Sequence, residues 1–394
     1  MAVFYNSILN WIYFRSEDLI IASQYYPYVG DNLPYMIGYR CSEVILGLIG
    51  WLLNIFVPSW TPDQSLLISE GLLNALAVVL EVLVIFTVGF IMNLTMIWEE
   101  RKILGRVMDR RGTKIGFPMG YLQCLADGLK TFVKENIAPK AIDKKIYWWG
   151  LGLVIGTSVL IACMVPLSSR WYIVNYDAGL LIIFGLFALA PFMILCVGWA
   201  QNNKYSLIGG MRAAELMISY EVPMLIMLAT TCLMAETYTI GGIVNAQFES
   251  MWYIIPQIIG FFAFLVAAVA ESERVPFDLS EAEAELVEGW QTEYAGMKWG
   301  LIMLADYFRG YVACAFVVIL YLGGWMLPGI GETAVPELIF LFKVAAVFAI
   351  FCIARGAYPR VRTDQILNIG WKVLMPLAVI NLALVVLFKT VGWF

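Results

Sequence analysis

The stretch AGLLIIFGLFALAPFMILCVGWA, residues 178–200, contains no charged side chain over 23 positions. As a helix it would rise roughly 35 Å, enough to cross a hydrocarbon core of about 30 Å. Backbone amides and carbonyls find no water there, so the segment must satisfy them internally, as a helix does. Seven further apolar runs of similar kind lie at 72–98, 146–166, 213–236, 251–271, 299–324, 336–354 and 370–392.

Composition agrees with a membrane class. The chain has 394 residues, 61% hydrophobic and 14% charged, against about 45–50% apolar and about 25% charged in soluble domains. The expected fold is all-α: a polytopic membrane protein with eight transmembrane helices and a cytoplasmic amphipathic helix. Residues 43–59 are apolar but end at Pro58, which leaves a ninth span or an interfacial helix open. Residues 1–71 thus read as an N-terminal extension and 72–394 as the membrane domain. The basic n-region of a cleavable signal peptide is missing.

Between residues 99 and 145 lie eleven of the 25 basic residues. Lys204, Arg212, Arg274, Lys298, Arg355, Arg360, Arg362 and Lys372 fall in or beside connections on the same side of an eight-span topology. The opposite loops hold Arg170, with Lys389 near the end of the last span. The positive-inside rule therefore places the large loops in the cytoplasm of a cell-membrane protein.

The chain has no histidine, and its seven cysteines form no CxxC pair. Histidine-ligated haem, the common zinc sites and an iron–sulfur cluster are thereby excluded for this chain. No dinucleotide-binding GxGxxG opens a helix after a strand. No metal or flavin is expected here, and no nucleic-acid partner. A redox cofactor would be a diffusible ligand or belong to a partner.

Two connecting segments are too patterned to be simple linkers. In 99–145, Tyr121, Leu122, Leu125, Leu129, Phe132 and Val133 recur at helical spacing, with Asp127, Lys130, Lys134 and Glu135 on much of the other face. This predicts an amphipathic helix at the membrane surface, either a docking helix or one wall of a ligand entrance. In 271–298, eight carboxylates stand against Arg274 and Lys298. Glu281, Glu283, Glu285 and Glu288 cannot share one helical face. The interleaved Val275, Phe277, Leu279, Leu286, Val287, Trp290 and Tyr294 predict a loop folded back on protein rather than a solvated acidic run. Carboxylates crowded there would have raised, interdependent pKa values suited to proton transfer near neutrality.

Glu81, Glu215, Glu221, Asp306, Arg309 and Lys343 interrupt apolar runs. Such residues are expensive in lipid and face a bundle interior, a cavity or a relay. Asp306 and Arg309 are spaced for an internal pair, which favours a structural role. Glu221 in ISYEVP, beside Pro223, is the relay candidate.

Several ordered motifs resemble one family. They are ERKILGR from Glu100, LQCLADGLKTFVKE at 122–135, and GWAQNNKYSLIGGMRAAELMISYEVP at 198–223. AESERVPFDLSEAEAELVEGWQTEYAGMKWG at 270–300, YLGGW ending at Trp325 and YPRVRTDQILNIGWKVLMPL at 358–377 follow. Together they resemble the H-type membrane subunits of NADH:quinone oxidoreductase, respiratory complex I, over about 72–394. The resemblance implies a quinone chamber shared with the peripheral arm, whose iron–sulfur subunit delivers electrons from its last cluster. Other membrane-arm subunits would adjoin it, and quinone would be the bound substrate. It implies chamber positions at Glu100, Arg101, Asp127, Lys130, Arg274, Phe277 and Asp278. It implies proton-relay positions at Glu221, Glu271, Glu281, Glu283 and Glu285, leading to proton translocation.

The departures point to a divergent, archaeal-like branch. Arg111-Gly112-Thr113-Lys114 lacks the family's RxGPN turn, although Arg110 aligns with its arginine. Glu215 replaces a common Gln, Gln291 a frequent His, and Arg309 a neutral residue; Asp306 replaces Glu. The donor is left open among NADH, ferredoxin and a reduced deazaflavin, the acceptor between a quinone and a phenazine. A related membrane-bound hydrogenase or ferredoxin-driven ion pump that reduces no quinone is the alternative. The length and acidity of 271–298 and the extended 99–145 segment favour the quinone branch. A secondary transporter would explain the spans but not the ordered motifs.

Overall fold

The computed structural model describes residues 70–116, 119–172, 177–280, 283–328 and 335–392. The candidate ninth span at 43–59 lies outside them. The chain divides into two compact units. Among the described residues, the first holds 70–88 and the short segment 166–172, closed by a bond from the Leu167 amide to the Trp171 carbonyl at 3.0 Å. The second holds 89–165 and 177–392.

The described elements are helical: α1 Glu70–Val107, α2 Tyr121–Val133, α3 Lys144–Met164, α4 Gly179–Phe187, α5 Ala190–Ala200, α6 Lys204–Ala235 and α7 Ile240–Glu249. There follow α8 Ile258–Glu271, the single turn α9 Glu283–Leu286, α10 Met297–Tyr321, α11 Pro336–Ala357, α12 Thr363–Asn368 and α13 Met375–Val391. Among the described residues, seven helical stretches are long and apolar enough to cross a membrane. They coincide with seven of the eight runs read from the sequence.

The remaining run differs. A span over 251–271 was expected, yet the helix covers only Ile258–Glu271, 14 residues. Pro256 explains the late start, because it lacks an amide hydrogen and disfavours helical backbone in the residue before it. A related break divides 179–200. Pro191 near the start of α5 would clash with the carbonyl of Phe187, where α4 ends. Between α12 and α13 the helix widens to a π-helical turn, Ile369–Leu374, just before Pro376.

Within the second unit, α6 packs on α5, α8 and α13, while α10 packs on α3, α8 and α11. Of the most apolar part of α10, 78% is buried, against 22% for the last span. Helix α10 is therefore a central post, and α13 keeps an apolar surface that lipid or another subunit must cover. Two close approaches depend on glycine. A Cβ on Gly209 would lie 2.6 Å from Gly289 Cα, and one on Gly198 would lie 2.8 Å from the Ser206 carbonyl. These contacts bring α6 against α5 and against the turn carrying Trp290, which is fully buried.

The acidic segment does fold back on protein. Phe277, Leu279, Leu286, Trp290 and Tyr294 are buried. Tyr294 stacks on Tyr147 of α3 at 4.4 Å between ring centroids, and Gln201 donates to the Trp290 carbonyl.

Candidate functional site

A cavity of about 460 Å³ opens where the end of α1, the segment after α8 and the start of α10 meet. It is lined by Glu100, Arg101, Arg110, Arg111, Ser272, Glu273, Arg274, Asp278, Asp306, Tyr307 and Arg355, with Leu104, Val275 and Met303 among the apolar contacts. The lining is rich in guanidinium and carboxylate groups, unlike a purely apolar ligand pocket.

Glu100 organises its wall. Its Oε2 accepts from Arg274 Nη1 at 2.7 Å and from the Tyr307 hydroxyl at 2.8 Å. Its other oxygen pairs with Arg355. The Arg274 guanidinium also lies 4.2 Å from the Tyr307 ring centroid, a favourable cation–π arrangement. Two cations thus share one buried carboxylate, leaving net positive charge facing the cavity.

A second cluster lies beside it. Arg309 Nη2 donates to Asp306 at 2.5 Å and to Glu273 at 3.3 Å. Ser280 donates to the other oxygen of Glu273 at 3.3 Å. Glu273 is pushed up to about 7 chiefly by burial; Arg309 opposes this, while Asp306 and Asp278 add to it. Asp278 is pushed up to about 6 by burial, opposed by Arg360, which it meets at 3.1 Å. The raised carboxyl groups expected of this segment are therefore present at these two positions.

Behind this cluster, Glu271 at the end of α8 and Glu221 on α6 are 2% and 8% exposed. Glu271 lies within electrostatic reach of Glu221, Arg309 and Glu273. The line runs from the cavity edge into the helix bundle.

Other anticipated positions fall differently. Asp127 pairs with Arg101 at 2.6 Å and stands behind the cavity wall. Lys130 is exposed and does not line the cavity. Phe277 is buried against Tyr220, with ring centroids 5.3 Å apart. Glu285 is exposed and pairs with Arg212 at 2.6 Å. The side chains of Glu81, Glu281 and Glu283 lie outside the described residues. Glu215 is exposed.

Helix α2 forms where expected, with Asp127 half-buried against Arg101 while Lys130, Lys134 and Glu135 are exposed. Asp127 and the buried Cys124 face protein, while Leu122, Leu125, Leu129, Phe132 and Val133 are exposed. Lys343, one of the charges inside a span, donates to the carbonyls of Leu322, Gly324 and Met326 at 2.7–2.8 Å. It closes the chain leaving α10.

Sequence reasoning passed over Glu273, Tyr307, Arg355 and Arg360 as site residues. Glu273 was one carboxylate among eight in its segment, and the two arginines counted only as topology charges. Tyr307 carried a usable signal, since it follows Asp306 in an otherwise apolar run.

A family model described as NADH dehydrogenase matches residues 80–386. A protein of Bacillus cytotoxicus, named as the H subunit of NADH-quinone oxidoreductase, is 40% identical over 313 residues, 79% of this chain and 93% of that protein. Proteins of the same name from Bacillus thuringiensis and Bacillus anthracis are each 39% identical over the same shares. Ordered motifs, apolar helices and these likenesses agree: the chain belongs to the NADH dehydrogenase family, in the branch of the H-type membrane subunits of NADH-quinone oxidoreductase, as a multi-pass component of a complex I assembly.

Proposed function

We propose that the cavity at Glu100, Arg274, Tyr307 and Arg355 is this subunit's share of a quinone chamber, and that the carboxylates behind it couple quinone reduction to proton translocation. The observation that carries this reading is continuity. A cavity lined by guanidinium and carboxylate groups, Glu273 and Asp306 among them, is followed by buried Glu271 and Glu221.

The chemistry fits the residues. Reducing a quinone to a quinol takes two electrons and two protons. As electrons arrive, negative charge develops on the quinone oxygens, and the guanidinium groups of Arg274 and Arg355 stabilise it. Glu273 and Asp278, with pKa values of about 7 and 6, can give up protons near neutral pH. They are refilled along Asp306, Glu271 and Glu221. The electrons come from an iron–sulfur cluster of a peripheral-arm partner.

The charge asymmetry of the loops supports an orientation with the cavity opening to the cytoplasm of a cell membrane. Residues 72–394 would form the membrane domain and 1–71 an N-terminal extension. Because the relatives are named for quinone, the quinone reading is favoured over the hydrogenase-like alternative.

A photoreactive quinone analogue tests the chamber in the assembled complex. Labelling at 99–135 or 271–290 is expected, and labelling confined to other subunits overturns the assignment. Glu221→Gln tests the relay. It should lower protons moved per quinone reduced in a complex that still assembles. Undiminished translocation would remove Glu221 from the line.

A further inference from the structure

Arg309 uses only one corner of its guanidinium. Nη2 serves both Asp306 and Glu273. Nε and Nη1 are buried and have no hydrogen-bond partner within the protein. Two buried acceptors are in the same condition, Glu271 Oε2 and Glu221 Oε1. Arg309 and Glu271 lie within electrostatic reach of each other, as do Glu271 and Glu221. Unpaired donors and acceptors of opposite charge therefore meet in one buried region, at 4% exposure for Arg309 and 2% for Glu271.

Leaving such groups unpaired is costly, and more so when they are charged. No direct hydrogen bond joins these donors to Glu271 Oε2 or Glu221 Oε1. Buried water is the usual remedy where several polar partners converge. Here two N–H donors and two carboxylate oxygens would supply those partners.

We propose that Arg309 is a positioning residue that anchors bound water between its free N–H groups and the carboxylates of Glu271 and Glu221. This rests on the relay reading above and adds the step that joins its two halves. The cation fixes the direction of the water: oxygen toward the guanidinium, hydrogens toward Glu271 and Glu221. Oriented in this way, the water links the cavity-side pair Glu273 and Asp306 to the bundle-side pair across a gap the protein does not bridge. The other charged groups nearby are engaged elsewhere, Arg274 and Arg355 on Glu100 and Arg360 on Asp278. Among these cations, Arg309 is the one with buried N–H donors that lack a partner within the protein.

Infrared difference spectra of the whole complex, taken on quinone reduction in ordinary and in heavy-oxygen water, test the proposal. Wild type should show bands sensitive to the heavy oxygen. Arg309→Leu should lose them and should lower proton translocation per quinone reduced. Insensitive wild-type spectra, or unchanged bands in Arg309→Leu, overturn the proposal. If the leucine variant does not assemble, Arg309→Lys decides, since it keeps the charge but loses the planar fork. Shifted water bands support the anchoring role and unshifted ones overturn it. Failure of the relay reading has a separate signature: Glu221→Gln would then leave translocation intact whatever the water bands show.

Discussion

Glu100 Oε2 lies 2.7 Å from Arg274 Nη1, joining residues 174 positions apart in the chain. Both side chains are largely buried, at 6% and 14% exposure. The contact ties the end of the first span to the segment that follows α8, so the cavity wall forms only when the motif starting at Glu100 meets the one at 270–300.

Glu100→Gln should therefore be severe. The amide keeps the shape but leaves Arg274 and Arg355 without their shared anion. Breaking a buried pair from one side costs about 3–5 kcal/mol. Expected outcomes are a lower thermal stability of the complex and a loss of quinone reductase activity exceeding the loss of assembled complex. Unaltered activity per assembled complex would show that Glu100 only supports the wall.

The pH dependence follows from Glu273. Its pKa is raised to about 7 by burial, so the folded protein favours the protonated form relative to an unfolded carboxyl. The available proton is present below about 7 and is lost as pH rises through that value. Quinone reduction limited by this donor should fall on the alkaline side of neutrality. Glu273→Gln should be slower overall and should lack that alkaline limb. The same sign applies to stability: ionising the buried group is disfavoured, so its cost appears as pH rises from the ordinary carboxylate range through about 7. A pH–rate series on both complexes checks the limb directly.

Lys343→Met separates structure from transport among the charges inside spans. The ammonium donates to three carbonyls at 2.7–2.8 Å. It also lies 4.7 Å from the Trp252 ring centroid. Removing it leaves those carbonyls unpaired, at about 1–3 kcal/mol for each buried group. The yield of assembled complex should drop, while protons moved per quinone reduced in the surviving complex should stay constant. A changed ratio would assign Lys343 to a proton path instead.

These examples show what was legible beforehand. Uninterrupted apolar runs such as 178–200 fixed the membrane class, because lipid allows few alternatives for a backbone. Spacing alone foretold the Asp306–Arg309 pair, since positions three apart meet on a helix. The Glu100–Arg274–Arg355 junction was not legible, as it depends on three segments remote in sequence. The late start of α8 could have been read from Pro256, but hydropathy across 251–271 masked it. The half-buried setting of Asp127 was not legible either. It follows from a partner, Arg101, that only the fold supplies.

Helix α2 gives the last prediction. In α2, Leu129 and Phe132 are 59% and 61% exposed, on the side away from the Arg101–Asp127 pair. An apolar stripe of this kind at a membrane surface is covered by lipid or by an apolar ligand. Exposed substitutions away from caps and pairs change intrinsic stability by only about 0.5 kcal/mol. Leu129→Glu and Phe132→Glu should therefore leave the fold of this subunit intact while placing charge on the exposed apolar side. If α2 is a wall of the entrance, the KM for a long-chain quinone should rise much more than that for a short, water-soluble one, with kcat for the short quinone unchanged. Equal effects on both would make α2 a docking helix for a neighbouring subunit. That reading would appear as a lower yield of assembled complex rather than as discrimination between quinone tails.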